Sequence, residues 1–467
     1  MRIKIFEMIP SSSQLALRQS CKQLKSEVDN LVGLKMFLSM KDLSEEKFRT
    51  LALIEPILLR KLTIRRESFE NLQKHSGWKF FLMNAGYANL NQLSLYNLKI
   101  QDDAQLSSIL FAVSSINSLR EFSLSLTVKQ ISSISLKSGV IGNNYDFSKL
   151  TSFNLRYEHR ERKSFNFIEP NKNRTCSYLK SFKQMRCPQL EKLQVSLDTQ
   201  FLEHQTEYLL WYLELLEKFA GTINCLRISI VYRPSSYNKT IGMHASTINE
   251  KALKIGSEFR NLKELDVDLF GGLIPDSEDE RRGPVKGWMN LLCGMRTGLE
   301  KLKLLFCQGS QTVCNRYQLL TKNSYPNLKE LCLVWNHSQL DWKMMTHISD
   351  QLETLKLQSR GGGFTKKVKN FDQIPLSLKK ITLWDFASSV EDWDFLIKLI
   401  STKKSLTVEY DFLINLKMAE YLGDCLSWPN FIWRGIEFGD QDELKVAALC
   451  LAFDIPLNKL YRVESSS

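Results

Sequence analysis

Apolar residues along this chain fall into one short frame that recurs from end to end. In PNLKELCLVWNHS (326–338), Leu328, Leu331 and Leu333 stand as L-x-x-L-x-L. Positions 4 and 6 of the frame alternate as in a strand, while position 1 breaks the alternation. The frame returns at Leu59/Leu62/Ile64, Leu90/Leu93/Leu95, Leu119/Phe122/Leu124 and Leu150/Phe153/Leu155. It continues at Leu190/Leu193/Val195, Ile223/Leu226/Ile228, Leu262/Leu265/Val267 and Leu299/Leu302/Leu304, then at Leu352/Leu355/Leu357 and Leu378/Ile381/Leu383. Successive frames begin 24 to 40 residues apart, a spacing that marks a solenoid of stacked units.

Between frames the apolar period changes to that of a helix. Residues 101–118 place Leu106, Ile109, Leu110, Val113 and Ile116 on one face. Residues 208–220, 246–261, 283–298, 337–351 and 388–405 read the same way, with Pro284 and Gly298 as start and stop signals in one of them. Each unit therefore predicts one strand followed by one helix, and the fold class is an α/β solenoid, a horseshoe with a curved parallel sheet and outer helices. Neither face of one unit can be buried alone, so neighbours must cover it. Asn336 and Cys307, eight residues after position 1, are expected to bond the backbone where the chain leaves the strand.

The ends depart from the frame. Residues 1–50 carry no frame and read as helical, residues 51–410 hold the repeats, and 411–467 form a last repeat or cap. Within that cap, 427–438 reads as a strand and 442–454 as an apolar helix that seals the solenoid. Two insertions widen the spacing, 156–186 and the Gly-, Pro- and charge-rich loop 269–287.

This pattern, L-x-x-L-x-L-x-x-N/C, is that of leucine-rich repeats. The N-terminal segment adds a second resemblance. IFEMIP (5–10) and LALRQSCKQL (15–24) match I-F-x-x-L-P, a short turn, and L-x-x-R-x-x-C-K-x-L at Ile5, Phe6, Ile9, Pro10, Leu15, Arg18, Cys21, Lys22 and Leu24. A helical module followed by leucine-rich repeats resembles the F-box family. The resemblance implies that those nine residues grip a Skp-type adaptor of a cullin–RING ubiquitin ligase. It also implies that the repeats hold the protein to be ubiquitinated.

Composition adds three points. The chain is 43% hydrophobic and 24% charged, as ordinary folded proteins are, and no apolar run reaches the roughly 18 residues of a membrane span. Ten cysteines are scattered without a C-x-x-C pair, which predicts free thiols in a reducing compartment, cytoplasm or nucleus, with the mitochondrion as the alternative. The net charge is +12, and half of it sits in 156–186, where nine Lys and Arg face three Glu.

Arg156, Arg160, Arg162, Lys163, Lys172 and Arg174 of that insertion are interleaved with Tyr157, Phe165, Phe167, Tyr178 and Phe182. The mixture predicts a contact for an acidic protein, RNA or an anionic surface.

No catalytic, metal or cofactor constellation emerges among the six histidines and the acidic runs. Binding is expected on the strand positions between the leucines: Asn91, Ser94, Lys263, Asp266, Lys329, Glu330, Lys356, Lys379 and Thr382, with Val334 and Trp335 beside them. The expected protein is a monomer within a larger complex. It is either a ligase substrate receptor or a non-catalytic scaffold subunit of a mitochondrial or ribonucleoprotein assembly.

Overall fold

The computed structural model describes residues 34–39, 59–65, 90–100, 103–128, 144–159, 182, 184–199, 205–232, 245–270, 291–306, 325–336, 349–360, 376–384, 390–438 and 442–462. The chain forms two compact units, Met1–Lys251 and Ala252–Ser467. Each is an α/β solenoid-like repeat whose strands run parallel.

In the N-terminal unit the sheet strands are β1 (Leu34–Ser39), β2 (Leu59–Arg65), β3 (Gln92–Ile100) and β4 (Glu121–Val128), then β6 (Ser152–His159), β8 (Lys192–Thr199) and β9 (Cys225–Tyr232). They lie side by side in chain order. The frames fix the register: Leu62, Leu93, Phe122, Phe153, Leu193 and Leu226 stand opposite one another as position 4. Ile64, Leu95, Leu124, Leu155, Val195 and Ile228 form the parallel row at position 6. A slip of one residue would turn both rows out of the core, so the apolar pattern holds the register. Position 1 is buried as well, at Leu90, Leu119, Leu150, Leu190 and Ile223.

Helices α1 (Asp103–Ser114) and α2 (Gln205–Phe219) cover this core with Leu106, Ile109, Leu110 and Val113, and with Tyr212, Leu213 and Leu216. Elsewhere a second, two-stranded ladder forms from β5 (Tyr145–Asp146) and β7 (Met185–Arg186). Rings fill the interior beside it: Phe122 stacks on Phe147 and on Phe153 at 6.1 and 5.7 Å, and Phe153 meets Phe182 at 6.1 Å.

In the C-terminal unit the strands are β10 (Glu264–Phe270), β11 (Lys301–Phe306), β12 (Glu330–Asn336), β13 (Thr354–Arg360), β14 (Lys380–Trp384), β15 (Thr407–Asn415), β16 (Phe431–Phe438) and β17 (Leu460–Arg462). Position 4 runs Leu265, Leu302, Leu331, Leu355, Ile381, Val408 and Phe431, and position 6 runs Val267, Leu304, Leu333, Leu357, Leu383, Tyr410 and Trp433. Helices α3 (Ala245–Glu258, of which 252–258 belong to this unit), α4 (Val390–Thr402), α5 (Leu416–Leu422) and α6 (Glu443–Phe453) accompany them. Two glycines allow backbone contact beside α3. A Cβ on Gly256 would sit 2.4 Å from the Leu291 carbonyl oxygen and 2.8 Å from the Gly294 Cα, and one on Gly294 would sit 2.7 Å from the Gly256 Cα.

One hydrogen-bond motif repeats through both units. At Asn91, Arg120, Thr151, Glu191, Lys263, Glu300, Lys329 and Glu353 the position 2 carbonyl accepts two N–H groups, from positions 2 and 3 of the next frame. Glu300 and Lys301 donate to Lys263 O at 2.9 Å each, and Lys329 and Glu330 donate to Glu300 O at 2.9 and 3.0 Å. Thr151 and Ser152 do the same to Arg120 O at 2.9 and 3.0 Å. Position 1 closes a turn by donating to the residue three before it, as Leu328 does to Tyr325 O at 3.1 Å and Leu150 to Phe147 O at 3.1 Å. That turn, with its buried side chain at Ile116, Phe147, Phe259 or Tyr325, explains why position 1 breaks the alternation.

Two expectations change. The segment 34–39, expected to be helical, is a strand paired with β2; Leu34, Met36 and Leu38 alternate with period 2 there. The strand expected within 427–438 is β16, and β15 and β17 flank it in the sheet, with Val408, Tyr410, Phe431 and Trp433 in place of leucine in the rows. Asn336 is the last residue of β12, in register with Arg360, rather than a turn residue. Among the described residues no helix is long and apolar enough to cross a membrane.

Candidate protein-binding surface

Positions 4 and 6 point into the core, so positions 3 and 5 emerge on the opposite sheet face. Position 2 sits just before the strand. In register, these positions form rows that cross the strands at about 4.8 Å per step.

In the C-terminal unit the position 2 row alternates in sign, and the rows at positions 3 and 5 carry linked charges. At position 2, Lys263 Nζ lies 3.2 Å from Glu300, Lys329 Nζ lies 3.6 Å from the same carboxylate, and Lys379 Nζ lies 3.0 Å from Glu353. At position 3, Lys301 pairs with Glu264 at 3.0 Å. At position 5, Lys303 pairs with Asp266 at 3.5 Å. Lys356 reaches from position 5 to Glu330 at position 3, and Lys380 reaches Glu409 at 2.7 Å.

Two carboxyls feel this arrangement. The Lys263 hydrogen bond and charge, with Lys329 beside them, hold Glu300 below the usual carboxylate range. Glu409 is lowered too, first by its hydrogen bond from Lys380 and then by one from Thr382.

Exposed ion pairs of this kind add about 0–1 kcal/mol each. A buried leucine contributes about 1.5–3 kcal/mol. The core rows therefore stabilise the fold, and the charge rows mainly order a surface. Their seven lysines (Lys263, Lys301, Lys303, Lys329, Lys356, Lys379, Lys380) nearly balance six acids (Glu264, Asp266, Glu300, Glu330, Glu353, Glu409). A balanced face does not draw a polyanion. It suits a partner whose own charges interdigitate with it.

The N-terminal unit presents a different face. Its position 5 row reads Thr63, Ser94, Ser123, Asn154, Gln194 and Arg227. These groups are mostly neutral donors and acceptors. Gln92 donates to Glu121 at 2.6 Å on the position 3 row.

Most of the expected binding residues lie where the frame puts them. Lys263, Lys329 and Lys379 are exposed, and Asn91, Ser94, Asp266, Glu330 and Lys356 are half-buried. Two are corrected. Thr382 is only 3% exposed; it stands in register between Lys356 and Glu409, and its hydroxyl donates to Glu409 at 3.0 Å. It positions that carboxylate and is closed to a partner. Val334 is buried as well, at 5% exposure.

Cys332, at position 5, is buried among charged neighbours, and burial pushes its thiol up to about 11. Glu300, Lys301, Lys303 and Glu409 belong to the surface but were absent from the expected set. Aligning the frames by position, rather than reading each alone, shows the alternation of Lys and Glu that finds them.

Of the basic insertion, Arg156 lies within β6 and is exposed. Phe182 is fully buried against Phe153, so it packs the core and cannot stack on a base. Arg160, Arg162, Lys163, Lys172 and Arg174 lie outside the described residues, as do Ile5, Phe6, Ile9, Pro10, Leu15, Arg18, Cys21, Lys22 and Leu24.

No family model matches the chain, and no curated protein matches it. Among solved structures, a Bacteroides fragilis protein from a structural genomics consortium is similar at 12% identity and a TM-score of 0.31, over 84% of this chain and 77% of that one. A chain of the yeast Rad7–Elc1 complex is similar at 14% identity and a TM-score of 0.30, over 79% of this chain and 89% of that one.

Proposed function

We propose that this chain is a non-catalytic leucine-rich repeat protein that binds another protein on its strand face. The observation that carries the proposal is the in-register, charge-balanced set of rows on the C-terminal unit. A rigid core sets the strand spacing, each charge is held by a neighbour across a strand, and the surface meets a partner preordered. The F-box resemblance of residues 5–24 extends the reading. The N-terminal segment docks a Skp-type adaptor, the strand face holds the substrate, and the protein acts as the substrate receptor of a cullin–RING ubiquitin ligase.

Two experiments test the two halves separately. For the surface, partners captured by the full chain are compared with those captured by Lys303→Glu/Lys356→Glu and by the control Lys404→Glu, which reverses an exposed charge off these rows. Capture weakened on the order of tenfold or more by the double reversal alone is expected, equal to about 1.4 kcal/mol. Unchanged capture sinks the surface. For the adaptor, a purified Skp-type adaptor is mixed with the chain and with Ile5→Asp/Pro10→Ala. If the adaptor binds neither, the ligase role fails while the surface stands. Co-purifying ribosomal or respiratory proteins then place the chain as a scaffold subunit.

A further inference from the structure

Helix α6 is apolar on two sides. Val446 and Leu449 face the core and are buried. On the opposite side Leu444 and Leu451 are each 87% exposed, with Ala447 and Ala448 exposed between them. These four stand at i, i+3, i+4 and i+7, one continuous stripe. An apolar helix face left open in this way marks a docking surface.

The stripe also specifies what fits it. Its order is large, small, small, large, and it reads the same in both directions about the midpoint of Ala447 and Ala448. An identical helix laid antiparallel across it, around a two-fold axis through that midpoint, sets alanine against alanine at the centre. Leu444 of each copy then stands level with Leu451 of the other. The small centre lets the axes approach to about 8 Å, close enough for both leucine pairs to touch. A two-fold contact of one patch with itself is the commonest way for protein chains to associate. Glu443 and Lys445 flank the stripe and put no charge on it.

We infer that the outer face of α6 pairs with the same face of a second copy of this chain, making an antiparallel two-fold dimer. This departs from the single-copy expectation drawn from sequence. A contact of one helix pair falls below the roughly 1,200 Å² of stable interfaces, so the dimer is reversible. Lys445 pairs with Asp442 at 4.0 Å, and with Glu443 at one helix end and Asp454 at the other the net charge of both ends is negative on both copies. Salt screens that repulsion, so association strengthens as ionic strength rises, opposite to a contact made by charge pairing.

Sedimentation of the full chain over a concentration series tests this. The expected mass rises from 54.2 kDa toward twice that value with concentration, and rises more steeply at high salt. Leu451→Glu holds the mass at one chain with an unchanged melting curve, because the side chain it replaces is already in water. Ala448→Cys forms a disulfide between copies faster than Lys404→Cys. One-chain mass at every concentration overturns the proposal, as does a dimer that survives Leu451→Glu or an Ala448→Cys chain that crosslinks no faster than the control.

Discussion

The two units share a core and differ in their faces. At position 4, Leu193 and Leu226 in one unit are matched by Leu331 and Leu355 in the other, all buried. At position 5, Ser94, Ser123, Asn154 and Gln194, ending in Arg227, in one are matched by Asp266, Lys303, Lys356 and Glu409 in the other, with Cys332 and Thr382 covered between the charges. The same backbone ladder therefore carries a row of neutral polar groups or a row of linked charges. Fold and recognition are written on alternate residues, and one changes without the other.

The strongest test of that separation is in the core. Leu193→Ala and Leu355→Ala should each lower stability by about 3 kcal/mol, measured by urea unfolding. A large gap between them would mean that the units do not share one packing scheme.

Glycine provides the next test. Alanine is favoured over glycine inside a helix by about 1 kcal/mol. At Gly256 the added Cβ meets backbone at 2.4 Å, which cannot rotate away, so the clash wins. Gly256→Ala should destabilise by about 2 kcal/mol on balance. Gly221 in the N-terminal unit has nothing within 4 Å of the same added atom. Gly221→Ala should stay within about 0.5 kcal/mol of the parent.

The smallest effect separates the faces themselves. Glu300 and Glu409 are held below the usual carboxylate range in the folded state. A depressed folded value means that their contribution is complete above the unfolded value of about 4.3 and drains away as pH falls through the folded value. Urea midpoints followed downward from pH 6 should therefore drop less in Glu300→Gln/Glu409→Gln than in the parent. Ser123→Ala/Asn154→Ala should leave the acid limb of the curve unchanged. Equal acid limbs in parent and Gln variant would show that the charge rows are not coupled to folding.

The core was largely legible in advance because a solenoid writes the same three apolar positions into every turn. Eleven frames could be read from leucine and its near equivalents. Of the strands that continue the sheet beyond them, only the one within 427–438 could be, since Val408/Tyr410 and Phe431/Trp433 fill the rows with other shapes. The surface was legible only in part. Sequence places a residue on a face, and neighbours decide whether water reaches it. Thr382 and Cys332 are short side chains between long charged ones, and they are covered. Lys263 and Lys379, long and at the strand entry, are open. The binding role of the basic insertion lost Phe182 for a related reason, since a ring amid charges in sequence is packed on Phe153 in space.

The shared carbonyl at each strand entry bears on how the protein opens. In eight frames, from Asn91 to Glu353, the position 2 oxygen accepts two amides of the next turn. When a strand detaches, it withdraws the acceptor from two N–H groups of its neighbour at once. Amide deuteration should then appear in adjacent pairs, at residues such as Lys329 and Glu330 together, and should advance from turn to turn along the stack.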